Sequence, residues 1–391
     1  MTGAAAAPAV SVGTVPAWPV RRLGAASAFG LALPAAAATA GQMYAPRGVW
    51  TDGTTVVATD TGNHRVLIWH QIPDTDGAPA DVILGQPDRT GDGPAASGRG
   101  PERGLRLPAG VGMIGGRLVV ADAWHHRLLI WDQLPHSDDV APDAVLGQDS
   151  LSEVAENRGG EPDLRSFRQP FGFGLAGGVF WVCDTYNRRV LGWSGGLPEP
   201  GKDADVLLGQ DGPADAAENR GAGVGAATFR WPHAVAGDAR ALYVADAGNH
   251  RVLGWQPPPA ADAAADLVLG QPGFDQAREL AYRPQGPGRL RFSYGVAGTA
   301  DRLAVADTAN NRVLLWRGLP GIGAGAAADA VLGQPDFDSH GENRWEAVAD
   351  DSLCWPYGLC LAGDLLAIAD SGNNRVVLWR LAGDSTESEG S

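Results

Sequence analysis

The sequence predicts an all-β protein, a six-bladed β-propeller of four-stranded antiparallel blades, from three observations. A twelve-residue segment recurs six times, as ATDTGNHRVLIW, VADAWHHRLLIW, VCDTYNRRVLGW, VADAGNHRVLGW, VADTANNRVLLW and IADSGNNRVVLW. Their aspartates, Asp60, Asp122, Asp184, Asp246, Asp307 and Asp370, are spaced 61 to 63 residues apart. Each repeat carries four short apolar runs separated by Gly, Asp, Asn and Pro, the signals of strands and turns. Glycine (55) and proline (28) make up about a fifth of the 391 residues, which is turn-rich yet short of low-complexity disorder. A fixed long period replaces the two or three domains that the length alone suggests with one repeat array.

Within a repeat, an inner strand comes first, as in Gly295-Val296-Ala297 or Gly358-Leu359-Cys360. A second, such as Leu118 to Ala121, runs into the aspartate, and the third is Arg-Val-Leu-x-Trp, as in Arg312 to Trp316. The fourth lies in ADVILGQPD and its equivalents, after a Pro/Asp/Ala-rich loop. The period exceeds the ~40–45 residues usual for a four-stranded blade. The excess falls mainly between the fourth strand and the next blade. The six third-strand tryptophans (Trp69, Trp131, Trp193, Trp255, Trp316, Trp379) are expected to pack between blades.

The repeat signature is Asp-x-x-Asn-x-Arg-Val. Its arginines are Arg65, Arg127, Arg189, Arg251, Arg312 and Arg375; its asparagines are Asn63, Asn187, Asn249, Asn310 and Asn373, with His125 in the second repeat. A four-residue turn brings each aspartate opposite its arginine, where an ion pair braces the hairpin. The asparagine suits a left-handed turn position. These residues are expected to be structural. With strands on either side, the signature resembles the NHL-repeat family across all six repeats, from about Tyr44 to Trp379. The LGQPD and Glu-Asn-Arg elements look like a bacterial branch of it. The resemblance implies a propeller that acts as an interaction platform, and an accessory role beside another enzyme. Some similar propellers are lyases whose channel histidines hold a metal, but here only His233 stands at such a position.

The last repeat has no LGQ strand after Trp379, and an open sheet edge is a liability. Residues 17–24 supply a candidate, because Gly24 precedes Gly48 by nearly the distance that separates Gly85 from Gly110. The expected organisation is therefore a flexible lead at 1–16, one propeller over 17–380 closed by 17–24, and a disordered tail over 381–391. The competing reading makes residues 21–40 a cleaved export signal, with paired arginines and an Ala-Thr-Ala end. Ring closure favours a cytoplasmic protein and cleavage an exported one. The alanine-rich stretch, broken by Pro34, does not suit a membrane span.

Ligands of such rings are expected at one mouth of the central channel. The residues just before the inner strands form an equivalent set: Arg47, Ala109, Phe171, His233, Tyr294 and Tyr357. Farther along, Trp50 and Cys360 are expected to line the channel with several small residues. Cys354 and Cys360 lie near the inner strand of the sixth repeat, close to the mouth, where a nucleophilic pair with His233 is the alternative to a lone buried thiol. Among the remaining histidines, His64, His125, His126 and His250 lie in hairpin turns of different blades, and His70, His136 and His340 in loops. Neither set shows the three or four convergent ligands of a zinc site, so no metal, cofactor or catalytic residue is assigned. Three cysteines exclude a disulfide scaffold. A net charge of -15 argues against nucleic acid, which needs a basic footprint. The sequence thus favours a monomeric, non-enzymatic scaffold that binds a protein or peptide through its interblade loops and channel mouth. The alternative is a lyase or hydrolase working at that mouth.

Overall fold

Runs of three to eight apolar residues that are hydrophobic on both faces need cover on both sides, and a ring of sheets supplies it by stacking each sheet against two neighbours. A computed structural model describes residues 17–26, 37–299, 301–318, 320–321 and 323–382, and shows six antiparallel sheets. Blade 1 comprises Gly48–Thr51, Val56–Asp60, Arg65–Trp69 and Val82–Leu84, in that order from the channel outward. Blades 2 to 5 repeat the plan, with inner strands Val111–Ile114, Pro170–Ala176, Pro232–Gly237 and Ser293–Gly298. A two-residue strand, Gly323–Ala324, runs from the blade 5 loop and adds parallel to the outer strand of blade 4.

Blade 6 takes its inner three strands, Pro356–Ala362, Leu365–Asp370 and Arg375–Leu381, from the end of the chain and its outer strand, Ala17–Gly24, from the beginning. The N-terminal strand therefore closes the ring. Gly24 has a φ of +98°, close to Gly85 (+86°) and Gly147 (+91°) at the same place in blades 1 and 2. The lead at 1–16 and the tail beyond Ala382 lie outside the described residues. Leu381 is part of the last strand and is buried, so the ordered blade extends one residue past the boundary expected from sequence.

The core is divided among the blade interfaces. One hydrophobic cluster joins blades 1 and 6, another blades 1 and 2, and so on round the ring. The six third-strand tryptophans are buried within these clusters or against them. The Trp69 indole N–H donates to the Ala78 carbonyl at 3.1 Å, and Trp131 to Val140 at 3.0 Å, both in the loop before the outer strand. In blade 6 the outer strand comes from the other end of the chain, and Trp379 Nε1 has no partner among the described residues.

The signature carboxylate and guanidinium of every blade are completely buried, with Asp–Arg separations of 2.7 to 2.9 Å. One oxygen of Asp60 accepts from Arg65 Nε (2.7 Å) and Asn63 Nδ2 (2.9 Å); the other accepts the Tyr44 backbone N–H at 2.7 Å. Arg65 spends its remaining donors on the carbonyls of Arg89, Thr39 and Gln42. The pair thus clamps the long loops on both sides of the blade as well as the hairpin. In blade 2 His125 replaces the asparagine, and its Nδ1 lies 2.8 Å from the Asp122 carboxylate.

The left-handed residue of each hairpin is the one after the asparagine, contrary to expectation: His64, His126, Arg188, His250, Asn311 and Asn374 have φ between 54° and 58°. The asparagine side chain is committed to the carboxylate, so its backbone stays in the short 3-10 turn. The following side chain reaches the next blade. His64, His126 and His250 accept through Nδ1 from the N–H groups of Leu107, Gln169 and Phe292, at 2.9 to 3.2 Å. Asn311 and Asn374 accept equivalently from Trp355 and Ala45.

Two predictions follow from this closure. Leu23, fully buried in the seam strand, is worth about 2–4 kcal/mol against alanine, so urea denaturation of Leu23→Ala should show a loss of that size. The three histidine latches must be neutral to accept, and burial holds all three below the ordinary imidazole value of 6.5. Their stabilisation is then complete above about pH 6.5 and is lost as pH falls, because the unfolded chain takes up the protons first. A His64→Asn, His126→Asn, His250→Asn variant, which copies blades 5 and 6, should show a shallower fall in melting temperature below about pH 6.5 than the wild type.

Candidate functional site

Near the mouth end of each inner strand stands a glycine or alanine (Gly48, Gly110, Gly172, Ala234, Gly295 and Gly358). A Cβ on Gly48 would fall 2.0 Å from the Ala109 carbonyl oxygen, one on Gly110 2.5 Å from that of Phe171, and one on Gly295 2.0 Å from that of Tyr357. The backbones of neighbouring blades therefore touch, and the side chain preceding each of these residues is left at the rim. The rim residues Arg47, Ala109, Phe171, His233, Tyr294 and Tyr357 come together round one small cavity of about 90 Å³, space for a few waters.

Above the rim opens a vestibule of about 280 Å³, walled by Arg47, Phe171, His233, Tyr294 and Tyr357 with Trp124, Tyr186 and Trp231. Its rings pack on one another: His233 on Phe171 at 4.3 Å between centroids, His233 on Tyr294 at 4.5 Å, and Tyr294 parallel to Tyr357 at 4.7 Å. The Arg47 guanidinium lies over the Tyr357 face at 5.1 Å. Among the described residues Arg47 forms no ion pair, whereas the nearby arginines of blades 3 to 5 are matched with glutamates. Arg168 meets Glu156 at 3.0 Å, Arg230 meets Glu218 at 3.3 Å, and Arg291 meets Glu279 at 2.8 Å.

Burial, reinforced by Arg47, pushes the His233 imidazole down to about 3. Its Nδ1 lies 3.2 Å from the Tyr294 carbonyl oxygen, so Nδ1 carries the proton. Burial raises both tyrosines, Tyr294 to about 12. The vestibule is thus an aromatic cup whose one charged wall residue is Arg47. It suits a planar or apolar group that carries a negative charge.

Two expected residues lie elsewhere. Trp50 packs at the interface of blades 1 and 2, and Cys360 at that of blades 6 and 1, its Sγ 3.4 Å from the Thr51 carbonyl oxygen. Blade faces look at neighbouring blades, so alternate inner-strand side chains enter the interfaces instead of the channel. Burial holds the Cys360 thiol at about 11 and Cys354 at about 12. Neither is a nucleophile at neutral pH. The described residues contain no group of three or more His, Cys, Asp or Glu able to hold a metal. His70 and His136, in the loops of successive blades, stack at 4.2 Å.

Trp124, Tyr186 and Trp231 were not visible as site residues in the sequence. The first two are turn residues whose equivalents, such as Gly62 and Gly248, are small. The signal available was a bulky ring at a position the repeat otherwise fills with glycine or alanine.

No family model matches the chain, and no curated protein matches it. Among solved structures it is similar to an auxiliary nutrient binding protein from Bacteroides thetaiotaomicron, with 9% identity over 87% of this chain and 70% of that one, at a TM-score of 0.48. A protein of unknown function from the same bacterium aligns over 94% and 76% with 11% identity and a TM-score of 0.46. Streptogramin B lyase aligns over 92% and 98% with 10% identity and a TM-score of 0.44. The six blades rest on this chain's own sheet order. No helix among the described residues is long and apolar enough to cross a membrane.

With its pKa held near 3, His233 should remain neutral when the pH is lowered through the ordinary imidazole range. A histidine NMR titration between about pH 8 and 5 should leave its ring signals unmoved, and a shift of those signals within that range would refute the assignment.

Proposed function

We propose that this chain is an NHL-type binding propeller without catalytic activity, and that its vestibule takes the C-terminal end of a peptide or partner protein. The carrying observation is Arg47, a guanidinium that has no carboxylate partner among the described residues and stands in an aromatic cup. A terminal carboxylate would complete its pairing in a bidentate, charge-assisted contact. The last side chain would pack against Phe171, Tyr294 and Tyr357. A volume of about 280 Å³ accommodates a terminal residue and little more, so the rest of the partner would run across the interblade loops. Arg106, 6.0 Å over the Trp124 ring, adds a second positive charge beside the cup.

Net charge supports the same reading. The chain as a whole carries -15, which disfavours nucleic acid and extended acidic partners. It leaves room for a single anionic group at a local positive site. Neutral His233 adds a polar, uncharged edge that does not compete for the carboxylate.

The test is a peptide library presented with free or amidated C-termini. Peptides selected with a free terminus and an apolar or aromatic last residue should lose about tenfold or more in affinity on amidation. Arg47→Gln should produce a similar loss. Equal binding of amidated peptides, or no effect of Arg47→Gln, would refute the assignment.

A further inference from the structure

Beside the vestibule, between the mouth-side loops of blades 4, 5 and 6, lies a second and larger cleft of about 560 Å³ that shares Tyr294 with it. Its walls combine exposed rings with polar groups of both charges. Trp345 is 76% exposed, Trp355 43% and Tyr282 fully exposed, while Arg291, His340 and Glu342 stand among them. We propose that this cleft binds a neutral oligosaccharide.

Trp345 carries the proposal. The loop motif Glu-Asn-Arg occurs in blades 2, 3 and 5, and the fourth residue of the motif has positive φ in each. Blades 2 and 3 place glycine there, Gly159 at +81° and Gly221 at +69°. The third copy places Trp345 there, at +61°. A bulky side chain in the left-handed region is a backbone outlier, and such outliers persist where they serve a function. The loop has also been rebuilt round the indole. Gly341 stands where the other copies have Ala155 and Ala217, and a Cβ at Gly341 would fall 2.5 Å from Trp345 Cδ1 and Nε1. A strained tryptophan, accommodated by a second change and then left in water, buries little of its own surface on folding.

The remaining walls identify the ligand class. An isolated exposed ring needs no explanation, but rings gathered in a cleft mark a binding surface. Trp355 is fixed by its Nε1–H, which donates to Glu342 at 3.1 Å. Glu342 keeps its other oxygen as an acceptor, and Arg291, with Nε on Glu279 and one Nη on the Ala309 carbonyl, keeps donors. A cation would meet Arg291, and an anion would meet Glu342 and Glu279. A neutral ligand rich in hydroxyl groups meets neither penalty, because each hydroxyl both donates and accepts. The C–H faces of a sugar ring pack flat on indole, and the volume accommodates two or three such rings.

The experiment uses the full chain and a panel of neutral hexasaccharides: cello-, xylo-, manno-, malto-, laminari- and chito-oligosaccharides. Binding is read by indole fluorescence and confirmed by calorimetry. At least one member should bind at millimolar concentration or better. Trp345→Gly, the residue the repeat itself uses, should abolish that binding by about tenfold or more while the melting temperature stays the same or rises. Trp355→Ala should weaken binding likewise, whereas Tyr44→Ala, which removes an exposed ring outside the cleft, should not. The proposal is overturned if no hexasaccharide binds, or if binding survives Trp345→Gly. A Trp345→Gly variant that melts well below the wild type would also overturn it, since the tryptophan would then be structural. None of these outcomes depends on the Arg47 vestibule.

Discussion

The propeller depends on a buried carboxylate–guanidinium pair repeated six times. Removing two ions from water costs several kcal/mol each, and their mutual attraction recovers this only where the remaining donors and acceptors are satisfied. Here they largely are. In blade 3, Asp184 accepts from Arg189, Asn187 and the Arg168 backbone, and Arg189 also donates to the carbonyls of Pro213, Asp163 and Ser166. Those carbonyls belong to loops far apart in sequence. The pair therefore organises the connections that would otherwise be floppy insertions between blades, and leaves the sheets to be held by apolar burial.

That division of labour explains the mouth. Loop clamps fix where each inner strand starts, and small residues just inside the rim allow neighbouring backbones to touch. The rim side chains have no other direction than the opening. Charge follows the same logic. Signature arginines are consumed in the hairpins, and the charges of Arg168, Arg230 and Arg291 are matched by glutamates. Arg47 alone among the rim residues carries a charge, and it stands on an aromatic wall.

Much of this was legible in the residues. The 61 to 63-residue spacing located every hairpin, Gly24 located the closing strand, and the rim set was found by counting forward to equivalent positions. The pairing of Asp60 with Arg65 in direct register follows from the four-residue turn. What could not be read was direction. Trp50 and Cys360 lie on inner strands, yet they point into blade interfaces. The left-handed residue is His64 and not Asn63, because the asparagine side chain is already taken. Deviations from the repeat, such as Trp124, Tyr186 and Trp345, were visible only as irregularities until the loops carrying them converged on one face.

By itself, the sequence determined the number of blades, the strands of each and the residues of the rim, because these follow from period and position along the chain. It offered residues 17–24 as the closing strand beside a competing export signal, and the pairing of that strand with the last one came from the structure. Only the tertiary structure decided that Arg47 has no carboxylate partner among the described residues and that Trp345, Trp355 and Tyr282 gather round one cleft. It also decided that the histidines after the turns latch one blade to the next. The latches join segments more than forty residues apart, and a local pattern does not specify which of two equivalent loops approaches a given side chain. Repetition fixes the frame; the departures from repetition, brought together in space, make the sites.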